Sequence, residues 1–432
     1  MKKYILPSLI LWSIILMLVL SNPLWVNRTD YDGARYYVMW ISGLLGIVIM
    51  TWQWVLGIRP AFNWLSSDFF HINYRHKRLG IWTMMALIFH PIATVIAYGT
   101  SWVYAFSLDF SDSFEWRVSL GKIGFDLTII ILVTSILSRK IMNFRTWHRI
   151  HLLSYPTFLA IWLHSRYSGT MIRTIPAVSW YMIVIGIVLV AITVLRIAYQ
   201  FGYMKNKSQI IAHRKVATDT YEITMSYDKN ISYVPGQFVY LQYPRGGESH
   251  PYTILSYDKQ HKTMRVAYKV FGAWTQKLAS LSETTGQTIY VDGPYGDFTA
   301  NIQNSDAPVV CIAAGIGITP FYELINTYAE TKEIKLIYLN RKNADVSYKS
   351  DLEEKLEDDC IHILSREWNQ TQQNEIVWSR LSTDILEQQL WKLIHTANFY
   401  ICGGWSVIES VREMLTQLWV QNKRIEREPF DM

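Results

Sequence analysis

His76-Lys77-Arg78-Leu79-Gly80-Ile81-Trp82-Thr83-Met84-Met85-Ala86-Leu87-Ile88-Phe89-His90 is a basic turn running into an apolar stretch that begins and ends on histidine. The fourteen-residue gap spans roughly 20 Å of helix and leaves the two imidazoles within roughly 40° of each other around its axis. His151 and His164 repeat the arrangement at a gap of thirteen residues in a second apolar stretch. On an ideal helix that second gap separates the rings by roughly 140°, and Pro156 between them is a residue that kinks or rephases a helix. Imidazole is an axial ligand for haem iron, and polar residues within membrane-length segments are functional candidates by default. Any one of these histidines could simply end a helix at headgroup level. Four of them, matched in depth on two segments, favour ligation of two stacked haems. By spacing alone His148 competes with His151 and His71 with His76; His71 falls in the loop before its segment and is read as a non-ligand.

Around these pairs, residues 1–200 are dominated by apolar runs, whereas 201–432 have the mixed polarity of a soluble protein. The apolar segments lie near 4–21, 36–57, 77–98, 118–138, 148–167 and 178–200, each approaching the roughly 20 residues that cross a hydrocarbon core. Lys2 and Lys3 before the first suggest a signal peptide, but no small-residue cleavage site follows. Asn22-Pro23-Leu24-Trp25 reads as an interfacial loop, so the first segment is taken as a helix. The net charge of +6 calls for no nucleic-acid partner, because basic residues cluster beside the apolar runs. Cys311, Cys360 and Cys402 are too scattered for a disulfide framework or a zinc site.

Charge orients the segments. Arg59, Arg75, Lys77 and Arg78 fill the second gap, Arg139, Lys140 and Arg145 the fourth, and Lys205 and Lys207 follow the sixth segment. Asp30 and Asp32, then Asp109, Asp112 and Glu115, mark the opposite side, where Arg28, Arg35, Arg166 and Arg173 weaken the contrast without reversing it. Both termini are therefore expected to be cytoplasmic, with His76 and His151 the inner pair and His90 and His164 the outer pair. Asp126 is the remaining charge within a segment, read as a structural or interfacial residue ahead of a proton path.

After a basic linker at 201–208, short alternating runs at Gln209–Val216, Thr220–Tyr227, Phe238–Tyr243, Thr263–Val270 and Thr288–Val291 predict a small β-barrel. The rhythm then changes. Strands at Val309–Ala313, Ile334–Leu339, Ile361–Leu364 and Phe399–Cys402 alternate with helical patterns, one running from Thr319 to about Lys332 and one over Asp351–Glu357. Such alternation implies a parallel sheet with ligand at its strand ends. Gly315 and Gly317, at the first strand-to-helix turn, let backbone amides approach a pyrophosphate, although Gly-x-Gly alone is often just a tight turn.

In these motifs the second half resembles the ferredoxin–NADP⁺ reductase superfamily, and residues 36–432 resemble the NADPH oxidase and ferric reductase transmembrane family, in its compact bacterial form. The resemblance implies a six-helix transmembrane haem-binding bundle (1–200), the linker, an antiparallel β-barrel FAD domain (209–300) and an α/β parallel-sheet NADPH domain (301–432). Tyr233-Val234-Pro235-Gly236-Gln237-Phe238 resembles the strand entering the flavin barrel, and Asp292-Gly293-Pro294-Tyr295-Gly296 its closing segment. His250-Pro251-Tyr252-Thr253 resembles the flavin motif, which implies that Tyr252 packs on the isoalloxazine, Thr253 reaches its N5 edge and His250 contacts phosphate or ribitol. Lys269-Val270-Phe271-Gly272-Ala273-Trp274-Thr275 is similar to the second FAD segment, with Lys269 and Thr275 near the pyrophosphate. Lysine stands where arginine is usual, which forfeits a bidentate contact.

Ala314-Gly315-Ile316-Gly317-Ile318-Thr319-Pro320 is similar to the dinucleotide loop. Tyr400-Ile401-Cys402-Gly403-Gly404 resembles the segment that sets its cysteine beside the nicotinamide. Ser365-Arg366, with Arg341 assisting, resembles the pair that binds the 2′-phosphate of NADPH. Phe430 resembles the terminal aromatic that stacks on flavin until nicotinamide displaces it; an ordinary packed side chain is the alternative. The similarity of Trp147, His151, Tyr155 and His164 to the family's fifth helix selects His151 over His148.

The implied activity is electron transfer from NADPH to FAD, then through two b-type haems, His76/His151 before His90/His164, to oxygen as superoxide outside the plasma membrane. Flavin stands between a hydride donor and one-electron iron centres. A ferric or cupric reductase with the same internal path is the alternative, suited by the acidic loop at Asp109, Asp112 and Glu115. A haem subunit serving a partner protein or quinone is a third reading. No obligatory protein partner is expected.

Overall fold

Apolar helices build the first of two units, Met1–Ile197, and mixed α/β structure builds the second, Ala198–Met432. The computed structural model describes residues 2–21, 31–59, 69–282, 285–369 and 374–430. The Asn22-Pro23-Leu24-Trp25 segment, Arg28, Asp30 and the His71 side chain lie outside the described residues.

In chain order the first unit comprises α1 (Lys2–Leu20), α2 (Tyr31–Leu56), α3 (Phe69–Tyr98), α4 (Trp102–Phe106), α5 (Ser113–Ile141), α6 (Phe144–His151), α7 (Ser154–Ser168), α8 (Thr170–Thr174) and α9 (Pro176–Gln200). Among the described residues, four stretches are long and apolar enough to cross a membrane, namely Gly33–Leu56, Tyr74–Tyr98, Ser113–Leu137 and Pro176–Gln200; Ile5–Leu20 is shorter. Along α9, Trp180, Val184, Ile187, Val190 and Val194 stand exposed, as an apolar face turned to lipid does. Met17, Leu44, Ile47, Leu87, Phe158, Ile161 and Met182 pack the interior.

The expected segment at 148–167 is not one helix. Proline at 156 has no N–H to give the Leu152 carbonyl, which accepts instead from Tyr155 N–H at 3.1 Å. Leu153 N–H likewise reaches back only three residues, to the Ile150 carbonyl at 2.9 Å. This tightened turn ends α6 at His151 and restarts the chain as α7 at Ser154. The straight-helix phase of 140° between His151 and His164 therefore does not apply.

The second unit opens with β1 (Asn206–Ala217), β2 (Thr220–Ser226), β3 (Phe238–Gln242), β4 (Ser249–Asp258) and β5 (Thr263–Lys269). Helix α10 (Ala273–Ser282) and β6 (Thr288–Tyr295) follow. The strands close an antiparallel barrel in the order β1-β2-β5-β4-β3-β6 around Ile223, Val239, Leu241, Ile254, Val266 and Val291. Tyr233–Gln237 forms a turn, with Gln237 N–H donating to the Val234 carbonyl, and strand begins only at Phe238. β7 (Val309–Ala314), a 3₁₀ turn (Gly315–Ile318) and α11 (Thr319–Tyr328) begin the parallel region. The helical pattern after the glycines thus ends before Lys332. Next come β8 (Ile334–Asn340), α12 (Lys349–Leu356), β9 (Cys360–Leu364), β10 (Glu375–Val377), α13 (Thr383–Leu390), β11 (Asn398–Gly403), α14 (Trp405–Gln417) and β12 (Ile425–Pro429). The parallel sheet runs β10-β9-β8-β7-β11-β12. Its order reverses beside β7, so a crevice opens at the carboxyl ends of β7 and β11.

Candidate functional site

In the first unit the four selected histidines meet in pairs. His76 on α3 faces His151 at the end of α6, ring centres 6.2 Å apart, and His90 on α3 faces His164 on α7 at 6.5 Å. An iron with an imidazole nitrogen at about 2 Å on each side, and each ring centre about 1.1 Å behind its nitrogen, sets ring centres about 6 Å apart. Both pairs fit that spacing. Both Nδ1 atoms of the His90/His164 pair lie 3.0 Å from backbone carbonyl oxygens, those of Met39 and Arg117. A carbonyl only accepts, so Nδ1 carries the proton and Nε2 keeps a free lone pair. His151 stacks on Trp147 at 5.0 Å, and its Nδ1 is 3.5 Å from Ser135 Oγ. His148 lies one turn earlier on α6, part-buried. Asp126 is exposed on α5.

On the barrel, antiparallel registers and turns gather the flavin candidates. His250, Pro251, Tyr252 and Thr253 lie on β4 and pair with Leu241, Tyr240, Val239 and Phe238 of β3. Trp274, at the start of α10, stacks on Tyr252 at 5.7 Å and lies 4.5 Å from the His250 ring. Thr253 is buried. Lys269 ends β5, Gly272 turns the chain with φ of +97°, and Thr275 Oγ1 accepts from Phe271 N–H at 2.8 Å. An aromatic platform beside a helix N-terminus fits a flavin ring with its pyrophosphate.

At the sheet crevice, Gly315 and Gly317 form the turn from β7 to α11, and Thr319 and Pro320 begin that helix. Cys402 and Gly403 end β11. Parallel pairing of β8 with β9 brings Arg341 and Ser365-Arg366 to adjacent strand ends, where Arg366 N–H donates to the Arg341 carbonyl at 2.8 Å. Both arginines are exposed, a fork of positive charge suited to a phosphate. Phe430 N–H donates to the Gly403 carbonyl at 3.1 Å, and its ring packs on the cluster containing Cys402.

Cys402 is buried, which holds its thiol well above its usual range, and its Sγ donates to the Glu428 carbonyl at 3.1 Å. Sequence reading passed over Glu428. Burial, then the charge of Asp297, push its carboxyl up to about 7. An unfolded glutamate titrates near about 4.3, so the folded chain holds a proton there that the unfolded chain has released. The stabilisation is full below the unfolded value and is lost as pH rises through about 7. Flavin reduction by NADPH, followed by stopped flow between pH 5 and 9, should show an inflection near about 7 that Glu428→Gln abolishes. An unchanged inflection in the variant would assign the titration to another group.

Family models match in the order of these sites. A ferric reductase like transmembrane component matches residues 42–162, an FAD-binding domain 204–299 and an oxidoreductase NAD-binding domain 311–413. The chain belongs to the ferric reductase and NADPH oxidase family. The electron transfer subunit of dihydroorotate dehydrogenase B (NAD(+)) of Listeria monocytogenes is 33% identical over 32% of this chain and 54% of its own length. Ferric reduction oxidase 2 of Arabidopsis thaliana is 27% identical over 34% of this chain and 22% of its own length. NADPH oxidase 4 of Rattus norvegicus is 30% identical over 26% and 22% respectively. The chain therefore spans about half the length of the first of these relatives and less of the other two. Within this family member, sequence reading also passed over Gly43 and Gly121, whose backbones lie against the His90 and His164 rings. Their signal was visible: Gly-x-x-Gly stands at 43–46 and again at 121–124.

Proposed function

We propose that the chain is a transmembrane NADPH oxidase that moves electrons from cytoplasmic NADPH through FAD and two b-type haems to oxygen on the outer side, releasing superoxide. The observation that carries this reading is the pair of ring separations, 6.2 and 6.5 Å, in one chain with a flavin platform and a dinucleotide crevice. When bound, flavin accepts a hydride and releases electrons singly, and haem iron carries them one at a time.

The chain's residues do the rest. Arg341, Ser365 and Arg366 hold a 2′-phosphate, and the Gly315–Thr319 turn offers amides to the pyrophosphate. Cys402, kept protonated by burial, would lie against the nicotinamide, and Phe430 would cover the flavin until nicotinamide displaced it. Tyr252 and Trp274 would hold the isoalloxazine, with Thr253 at its N5 edge, His250 on phosphate or ribitol, and Lys269 and Thr275 at the pyrophosphate. His76 and His151 would hold the inner haem and His90 and His164 the outer one, each supplying one-electron transfer, and oxygen would be reduced without binding iron. Positive residues flanking the segments support cytoplasmic termini in the plasma membrane.

Ferric or cupric reduction is the second reading, favoured by the match to a ferric reductase component. Its proposed attraction for cations is weakened locally. Asp112 Oδ1 accepts from Phe114 N–H at 2.6 Å and from Glu115 N–H at 2.9 Å, Asp109 Oδ1 accepts from Ser111 N–H at 2.8 Å, and Glu115 accepts from Tyr104 OH at 3.0 Å. Purified protein given NADPH and FAD separates the readings. Dismutase-sensitive reduction of cytochrome c is the expected result. Dismutase-insensitive reduction of chelated iron, faster without oxygen, would replace it with the metal reductase; turnover only with an added protein or quinone would replace it with a partner-dependent subunit.

A further inference from the structure

One geometry recurs in the first unit: a glycine four residues after a helix carbonyl leaves room for a side-chain N–H, that of Gln53 at His76/Gly80, that of Trp162 at Met182/Gly186, and that of each outer histidine. On α2, the Met39 carbonyl oxygen lies 3.0 Å from His90 Nδ1, and a Cβ on Gly43 would lie 2.9 Å from the same ring. On α5, the Arg117 carbonyl oxygen lies 3.0 Å from His164 Nδ1, and a Cβ on Gly121 would lie 2.7 Å from that ring. In both helices the glycine follows the accepting carbonyl by four residues. The packing continues in step: Gly46 faces Leu87 and Gly124 faces Ile161, each three residues before its histidine.

The spacing has a physical reason. A helical carbonyl at position i already accepts from the N–H at i+4, and the side chain at i+4 leans back over that same turn. A Cβ there would stand in the path of a ring approaching that carbonyl from a neighbouring helix. Glycine leaves the path open; at Met39 the Ser42 hydroxyl also donates to the carbonyl at 2.7 Å and lies 3.3 Å from His90 Nδ1. Close helix packing alone explains Gly46 and Gly124, which meet aliphatic side chains. Gly80 and Gly186 admit the Gln53 amide and the Trp162 indole to the carbonyl one turn back, whereas Gly43 and Gly121 each admit an imidazole.

We propose that Gly43 and Gly121 are positioning residues, each opening a helix carbonyl to the Nδ1–H of an outer haem ligand. The bond fixes the tautomer and plane of the imidazole. It also makes Nε2 a stronger donor to iron, which favours the ferric state and lowers the outer haem's midpoint potential. This rests on the haem reading above, and deepens it: a strongly reducing outer haem suits one-electron reduction of oxygen.

The test uses the full chain with haem bound, comparing Gly43→Ala and Gly121→Ala with Gly46→Ala, whose added Cβ meets aliphatic side chains, Leu87 at 3.3 Å and Ala86 at 3.7 Å. Redox titration and low-temperature EPR are the readouts. The first two variants should raise the potential of one of two haem components, change its g-values and weaken its haem binding by about tenfold to a hundredfold. Gly46→Ala should match wild type. Wild-type potentials and g-values in both cradle variants would overturn the proposal, as would an equal shift in Gly46→Ala. Should the variants not accumulate, pulsed EPR of the wild-type ferric protein in deuterated water reads the Nδ1 protons directly. Slowly exchanging protons on the outer imidazoles support the cradle; freely exchanging ones refute it. Retention of both haems in His90→Ala and His164→Ala would remove the ligand assignment itself, whereas loss of one haem there with unaltered glycine variants removes the cradle alone.

Discussion

His164→Ala should bind one haem per chain instead of two and lose electron delivery to external acceptors by at least about a hundredfold, while NADPH still reduces its flavin. The substitution removes an imidazole whose partner ring is 6.5 Å away and whose Nδ1 is fixed on the Arg117 carbonyl. On the proposed reading His90 would remain there without its partner imidazole. Nothing in the second unit changes, so hydride transfer to flavin is untouched, and the defect sits between flavin and acceptor. Haem content by pyridine haemochrome, with separate stopped-flow traces for flavin and haem, distinguishes this from general misfolding. A variant with two haems and full turnover would show that His164 is a helix-end histidine.

Gly317→Ala should be nearly as damaging, by a different route. An added Cβ would fall against the Cys402 carbonyl oxygen and 2.7 Å from its carbonyl carbon, with Gly403 N at 3.1 Å. All of these are backbone atoms of β11, held in register against β7, so neither side can yield as a flexible side chain would. A cost of about 3 kcal/mol follows from such overpacking, equivalent to roughly 6–12 °C in a unit of this size. The crevice between β7 and β11 must open to admit the methyl, so nicotinamide binding should weaken as well. Gly315 supplies the contrast. Its φ is +55° and a Cβ would meet nothing within 4 Å, so Gly315→Ala meets only the left-handed backbone penalty of about 1–2 kcal/mol. The temperature of FAD release and the NADPH KM for flavin reduction read both. Equal, small effects from the two substitutions would mean the turn relaxes away from β11.

Much of this was legible from side-chain pattern. Apolar runs located α2, α3, α5 and α9, and alternation located most of the barrel. β4 was missed because Pro251 and the polar residues around it break the alternation, although His250-Pro251-Tyr252-Thr253 was singled out there as resembling a flavin motif. β10 is too short to show a period, and β12 reads Ile-Glu-Arg-Glu-Pro, charged where a strand edge faces solvent. Pro156 announced that the fifth segment would deviate, but only the lost hydrogen bond at Leu152 decides how. The carbonyls that fix His90 and His164 are silent in sequence, since every residue has one; only the glycines four residues later betray them. Glu428 escaped notice because its altered acidity comes from burial and from Asp297, over a hundred residues earlier in the chain.

The central claim is that one chain carries electrons from NADPH through flavin to two bis-histidine haems. Anaerobic stopped-flow mixing of the wild-type full chain with NADPH tests it most directly. Flavin bleaching followed by reduction of two low-spin haems per chain is the expected sequence. Flavin that bleaches while no haem is present, or while the haems stay ferric, would contradict it.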